Sequence, residues 1–132
     1  MASILKYKGD LDTKALEELE KHNSISCDTE GSGLQIPYRD RLSLIQLSSG
    51  NNDAYIIQPS QQYKCPNIVK LLENEKIVKI FHYSRYDVLN LQYFLKCEVK
   101  SIWDSKVCSK LVRTYSQNHG LKDLVFEFCG GK

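Results

Sequence analysis

The chain has 132 residues, room for one folded domain (1–132) and not two. Hydrophobic residues make up 42% and charged residues 26%, the balance of an ordinary globular protein. A net charge of +2 excludes a whole-molecule field for polyanions, so any such surface has to be a local patch.

No apolar run approaches the ~20 residues needed to cross a bilayer, so no membrane partner is expected. The N-terminal residues, Met-Ala-Ser-Ile-Leu-Lys-Tyr-Lys-Gly-Asp, lack the apolar segment of a signal peptide. Cys27, Cys65, Cys97, Cys108 and Cys129 are odd in number, and no two have the Cys-x-x-Cys spacing of a zinc site. They read as reduced thiols of a cytoplasmic protein, with Cys27 and Cys108 on apolar faces.

Ile4–Tyr7 reads as a short strand closed by Gly9-Asp10. Asp12 or Thr13 then caps a helix whose stripe is Ala15, Leu16 and Leu19, with Glu17, Glu18, Glu20 and Lys21 wet. Ser24–Glu30 is the first central strand. After a polar turn at Pro37–Asp40, Arg41–Ser48 reads as a buried strand with Leu42 and Leu44 on one face and Ile45 and Leu47 on the other. The Ser49–Asp53 run signals a hairpin into Ala54–Gln58, which makes the three strands an antiparallel meander.

The pattern then changes. Pro66 opens a helix carrying Ile68, Leu71 and Leu72. Lys76–His82 is a strand, Tyr86–Lys96 a helix with Val88, Leu91 and Leu95 on one face, and Val99–Trp103 a strand. Asp104 or Ser105 caps a helix aligning Val107, Leu111 and Tyr115; His119-Gly120 ends it, and Leu121–Phe128 starts another. Strands alternating with helices imply parallel pairing and an α/β layer.

The chemistry starts at Ile25–Leu34, Ile-Ser-Cys-Asp-Thr-Glu-Gly-Ser-Gly-Leu. Residues two apart on a strand share a face, so Asp28 and Glu30 sit side by side, roughly 7 Å apart at Cα. Such neighbours repel, and a hard cation such as Mg²⁺ or Mn²⁺ relieves the repulsion. The motif alone equally fits two solvated acids at a strand end. Gly31-Ser-Gly33 lacks the third glycine and the following helix of a phosphate cradle and reads as a turn. Asp87 lies just past the end of another strand, where ligands collect in open α/β sheets. Three carboxylates there could serve a pair of ions that clamp a phosphodiester.

Four motifs in order carry a family resemblance: Asp28-Thr-Glu30 with Gly33-Leu34, Arg41-Leu-Ser-Leu-Ile-Gln46, His82-Tyr-Ser-Arg85-Tyr-Asp87, and Lys110 to Val125. Together they resemble the DEDD 3′-5′ exonucleases, in the ribonuclease D branch. The Arg39–Gly50 string looks more narrowly like the nanoRNase C group, which cleaves very short RNAs. The resemblance runs from about Tyr7 to Phe128. It implies an RNase H-like mixed sheet of five to six strands with helices on both faces. It also implies two-metal hydrolysis of short RNA from its 3′ end to 5′-nucleotides, with two Mg²⁺ or Mn²⁺ ions. Asp28, Glu30 and Asp87 match metal-binding catalytic acids. Leu34 matches a position that wedges against the terminal base, and His82, Arg85 and Tyr86 fall near phosphate or sugar.

The family's fourth acid lies on a later helix, in a Tyr-x-x-x-Asp arrangement that this sequence does not contain; the C-terminal helices are expected to be missing. Tyr115–His119 puts His where Asp belongs, and Asp123 reads as a solvated helix residue. Loss of that group is expected to weaken metal binding and water positioning and to leave apolar sheet uncovered, favouring a homo-oligomer or a partner chain. The alternative is a non-catalytic remnant or assembly subunit that binds RNA or a partner chain. Lys106, Lys110 and Arg113 read as a solvated helix face that could meet phosphate, and Trp103 as core. Tyr38, Tyr83 and Tyr86 are the aromatics suited to stacking on bases.

Overall fold

The alternation in Ser24–Gly31 puts Ile25, Cys27 and Thr29 on one face and Ser26, Asp28 and Glu30 on the other, and the two faces meet different fates. In a computed structural model, which describes residues 2–36 and 38–130, the first set is buried and the second is exposed. Pro37, the first residue of the expected turn, and the final Gly131-Lys132 lie outside the described residues.

The elements run β1 (Ser3–Gly9), α1 (Thr13–Glu20), β2 (Ser24–Gly31), β3 (Leu42–Ser48), β4 (Asp53–Pro59), α2 (Pro66–Glu73), β5 (Val78–Phe81), α3 (Ser84–Leu95), β6 (Ile102–Asp104), α4 (Ser105–Val112) and α5 (Leu121–Cys129). They form one six-stranded sheet in the order β1-β4-β3-β2-β5-β6. The β2-β3 and β3-β4 pairs are antiparallel, and β1-β4, β2-β5 and β5-β6 are parallel. The expected α/β layer and meander are therefore present.

One core joins α1, α2 and α3 to one sheet face: Leu16 and Leu19, Ile68 and Leu71, and Leu91 and Leu95 pack with Ile25, Ile45, Ile57 and Phe81. Lys79 points into the same face and is fully buried. Its ammonium donates to the carbonyls of Asn74 at 2.6 Å and Ile77 at 2.7 Å, and burial pulls its pKa down to about 8. The opposite face stays open at its centre. There a cleft of about 380 Å³ is lined by Ser26, Asp28, Gln46, Ile80 and His82, with Ser105 of α4 and Leu121 of α5 at its border.

Several expectations are corrected. A bulge pairs Gly31 with Leu42 while Glu30 pairs with Leu44, so Leu42 turns inward with Ile45 and Leu47 and leaves Leu44 half-buried. Ser101 takes a left-handed backbone (φ 59) that delays β6 to Ile102, and on this edge strand Trp103 is 56% exposed, not core. Helix α4 ends at Val112, so Tyr115 lies beyond it. Arg113 is buried rather than solvated: it donates to Ser109, to the Asn118 carbonyl and to Glu127, which also accepts from the Tyr115 hydroxyl. Asp123 accepts from the N–H of Gly120 at 3.2 Å and caps α5.

The entry into α3 is held from β6. Tyr83 turns the chain with φ 66, and Asp104 accepts from the N–H groups of Tyr83 and Ser84, the Ser84 hydroxyl, and the N–H groups of Lys106 and Val107. Burial alone would raise the Asp104 carboxyl, but these donors, led by Ser84, hold it at about 2. Its stabilisation is therefore complete above the ordinary carboxylate range and is lost as pH falls towards 2. We expect Asp104→Ala to cost about 2 kcal/mol in urea unfolding at pH 7, the loss shrinking as the pH approaches 2.

Candidate active site at the end of the second strand

The second strand ends in Asp28, Thr29 and Glu30, and α3 brings a third acid to it. Asp87 lies in the first turn of α3 and is 4% exposed. Its Oδ1 accepts from the Thr29 N–H at 3.0 Å and the Thr29 hydroxyl at 2.6 Å. The third carboxylate is thus fastened to the residue between the other two. Its Oδ2 has no hydrogen bond among the described residues.

Burial pushes the Asp87 carboxyl up to about 6, against the Thr29 donors, and the charges of Asp28 and Glu30 push the same way. The neighbouring Cys27 thiol is also driven up, by burial first and then by Asp87 and Asp28. The surroundings of Asp87 are therefore negative. Among the described residues, no three His, Cys, Asp or Glu side chains are gathered into a ready-made metal cage. What links the acids in this structure is Thr29 and mutual repulsion. The donor chemistry itself, carboxylate oxygens under mutual repulsion with one oxygen of Asp87 free, fits a hard divalent cation.

Residues 32–36 and 38–41 belong to the connection from β2 to β3, next to the acids in sequence. It is pinned at its base, where the Ser32 N–H donates to the Arg41 carbonyl and the Arg41 N–H to the Ser32 hydroxyl, both at 2.9 Å. Asp40 accepts from the Gln35 N–H and the Arg39 guanidinium, and the Gln35 bond leads in holding its carboxyl low. The glycines here answer to crowding: a Cβ on Gly33 would lie 2.3 Å from Asp40 Oδ2, and one on Gly31 2.8 Å from the hydroxyl of Tyr86. The loop holds Leu34 out in solvent, 88% exposed.

The remaining expected residues divide. Tyr86 meets Gly31 beside the acids, while Arg85 is exposed on the first turn of α3. His82 lines the open cleft together with Asp28. The Ser105 hydroxyl donates to the Phe81 carbonyl at 3.1 Å, so its oxygen accepts from His82 Nδ1–H at 2.9 Å. With Nδ1–H donating, Nε2 is the ring's other nitrogen, and this atom is buried without a partner. Thr29 was missed by sequence reasoning. It could have been found as the residue enclosed by the two acids.

The raised Asp87 carboxyl makes the folded state bind its proton more tightly than the unfolded chain does. Stability of the metal-free protein therefore falls as pH rises from about 4 to 6, by about 3 kcal/mol. Asp87→Asn keeps the acceptor for Thr29 and removes the charge. We expect it to stabilise the metal-free protein by on the order of 2 kcal/mol at pH 8 and scarcely at pH 4, measured by urea unfolding. Equal destabilisation at both pH values would contradict the assignment.

A sequence model of a family described as 3′-5′ exonuclease matches residues 7–132. No curated protein matches the chain. Among solved structures, Brucella melitensis NrnC with bound Mg²⁺ is 37% identical with a TM-score of 0.90, over 98% of this chain and 63% of that one. NrnC of the same organism bound to pGG is 36% identical, also with a TM-score of 0.90, over 98% and 62%. Escherichia coli RNase D shares the fold at 19% identity and a TM-score of 0.72, over 98% of this chain and 34% of that one. The chain thus spans a little over three-fifths of the length of the NrnC structures it matches. Its sequence and its sheet place it in the 3′-5′ exonuclease family.

Proposed function

We propose that the protein is a 3′-5′ exoribonuclease that hydrolyses short RNA to 5′-nucleotides with Mg²⁺ or Mn²⁺, two ions in a complete site. The observation that carries this reading is Asp87 fastened to Thr29, between Asp28 and Glu30, with its own charge disfavoured by burial and then by theirs. The Mg²⁺ and pGG carried by the NrnC structures support the same choice of metal and of a short oligonucleotide.

Asp28, Glu30 and Asp87 would hold the ions. When bound, they supply Lewis-acid stabilisation of the attacking and leaving oxygens of the phosphodiester. The chain's own groups bind and orient the strand. Leu34, held out by its loop, would wedge against the terminal base. The unpartnered Nε2 of His82 suits a ribose hydroxyl. Arg85 would lie alongside phosphate, and Tyr86 closes the pocket against Gly31. Arg113 is withdrawn from this set, because Glu127 and Ser109 already engage its guanidinium.

A second reading has its own observation. Leu111, Val112, Phe126 and Phe128 on α4 and α5 are each at least 67% exposed, and none of the α5 residues is buried. Such a surface fits self-association or a partner chain, and an assembly subunit without turnover.

The two are separated by labelled dinucleotides in Mn²⁺. We expect 5′-nucleotide release that falls by at least ~10²-fold in Asp28→Ala. Turnover unaffected by that substitution would reject the site, and no turnover at any metal concentration would favour the second reading.

A further inference from the structure

The fold leaves one nitrogen of a cleft residue unsatisfied. His82 lines the open cleft together with Asp28, and its Nε2 is buried without a hydrogen-bond partner. Buried polar atoms are nearly always paired, because lost hydration has to be replaced, so an unpaired one calls for an explanation. The ring's other nitrogen is fixed. Nδ1 donates to the Ser105 hydroxyl at 2.9 Å, and that hydroxyl gives its own proton to the Phe81 carbonyl at 3.1 Å.

Ser105 is the first residue of α4, and with Asp104 it grips the chain from Phe81 to Ser84 residue by residue. Ser105 holds the Phe81 carbonyl and His82 Nδ1, while Asp104 holds the N–H groups of Tyr83 and Ser84. Asp104 thus serves the turn into α3, and the Ser105 hydroxyl serves a side chain. With its proton on the Phe81 carbonyl, that hydroxyl can only accept from the ring. Nδ1 therefore carries a proton whether the imidazole is neutral or charged, and the tautomer with its proton on Nε2 alone is excluded. The two nitrogens diverge across a rigid ring, so holding Nδ1 fixes where Nε2 lies.

We propose that Ser105 is a positioning residue: by holding Nδ1–H of His82 it fixes Nε2 for contact with the substrate. This rests on the exoribonuclease reading given above, in which that atom meets a ribose hydroxyl. A ring held beforehand spares binding the cost of freezing it, and Nε2 has no protein partner to compete with the substrate. Without the Ser105 hydroxyl the ring is free to turn, and the tautomer that the hydroxyl excludes becomes accessible. The atom in the cleft then loses its place. Threonine keeps a hydroxyl on the same Cβ and with it both hydrogen bonds.

The test joins imidazole nitrogen NMR of the metal-free protein at pH 8 to hydrolysis of labelled dinucleotides in Mn²⁺. In wild type, His82 Nδ1 is expected to give the signal of a protonated nitrogen, and in Ser105→Ala the tautomer protonated on Nε2 alone is expected to appear. The same variant is expected to lose roughly 10-fold in kcat/KM, but no more than about 2-fold when made in His82→Ala, and Ser105→Thr to come within about 3-fold of wild type. Ser105→Cys, which keeps the size of the side chain and only a weak sulfur acceptor, is the second variant and is expected to lose activity as Ser105→Ala does. A wild-type ring protonated on Nε2 alone, unchanged signals in Ser105→Ala, an equal loss with and without His82, or no recovery in Ser105→Thr overturns the proposal. If hydrolysis is intact and depends on Asp28 while the alanine and cysteine variants match wild type, the positioning role alone falls. If wild type hydrolyses no dinucleotide, the exoribonuclease reading falls with it.

Discussion

Two hydrogen bonds between Thr29 and Asp87 decide how the rest of the molecule matters. They join the middle of a sheet to the first turn of a helix far along the chain. Without them, Asp87 would be a buried carboxyl with no donors and two like charges nearby. With them it is oriented, and burial still keeps its carboxyl near 6. The repulsion is not removed, only contained. A cation would turn that cost into binding energy, because the same three charges that disfavour one another all favour it.

The surrounding structure serves this placement. The turn at Tyr83 takes a backbone that a tyrosine adopts at a cost, and Asp104 offsets it by receiving the amides on both sides of the turn and those of α4. Gly31 and Gly33 let the following loop lie close to Tyr86 and Asp40. The buried Arg113, with Glu127, Tyr115, Ser109 and the Asn118 carbonyl, fixes α5 against α4 although α5 buries none of its own residues. That arrangement leaves the apolar side chains of both helices turned outward, beside an open sheet face that contains Asp28 and His82.

How much of this could be read in advance follows from the range of each interaction. The strand with the two acids was legible because alternation is local: Ile25, Cys27 and Thr29 inward, Asp28 and Glu30 outward. Asp87 was legible through its motif and its place after a strand. The inward turn of Leu42 was not, since a bulge depends on how a partner strand pairs. Arg113 looked like one more cation on a wet helix face, and only folding brings Glu127 to it. Lys79 likewise gave no sign that it would point into the core.

The most direct test of the central claim is a Mn²⁺ titration followed by electron paramagnetic resonance, on wild type, Asp28→Asn, Asp87→Asn and Asp123→Asn at pH 7.5. If the acids around Thr29 form one site, the first two variants lose at least ~10-fold in Mn²⁺ affinity, while Asp123→Asn, which touches only the α5 cap, binds as wild type does. Wild-type affinity in Asp87→Asn would mean that the acid held by Thr29 takes no part in metal binding, and the account would fail.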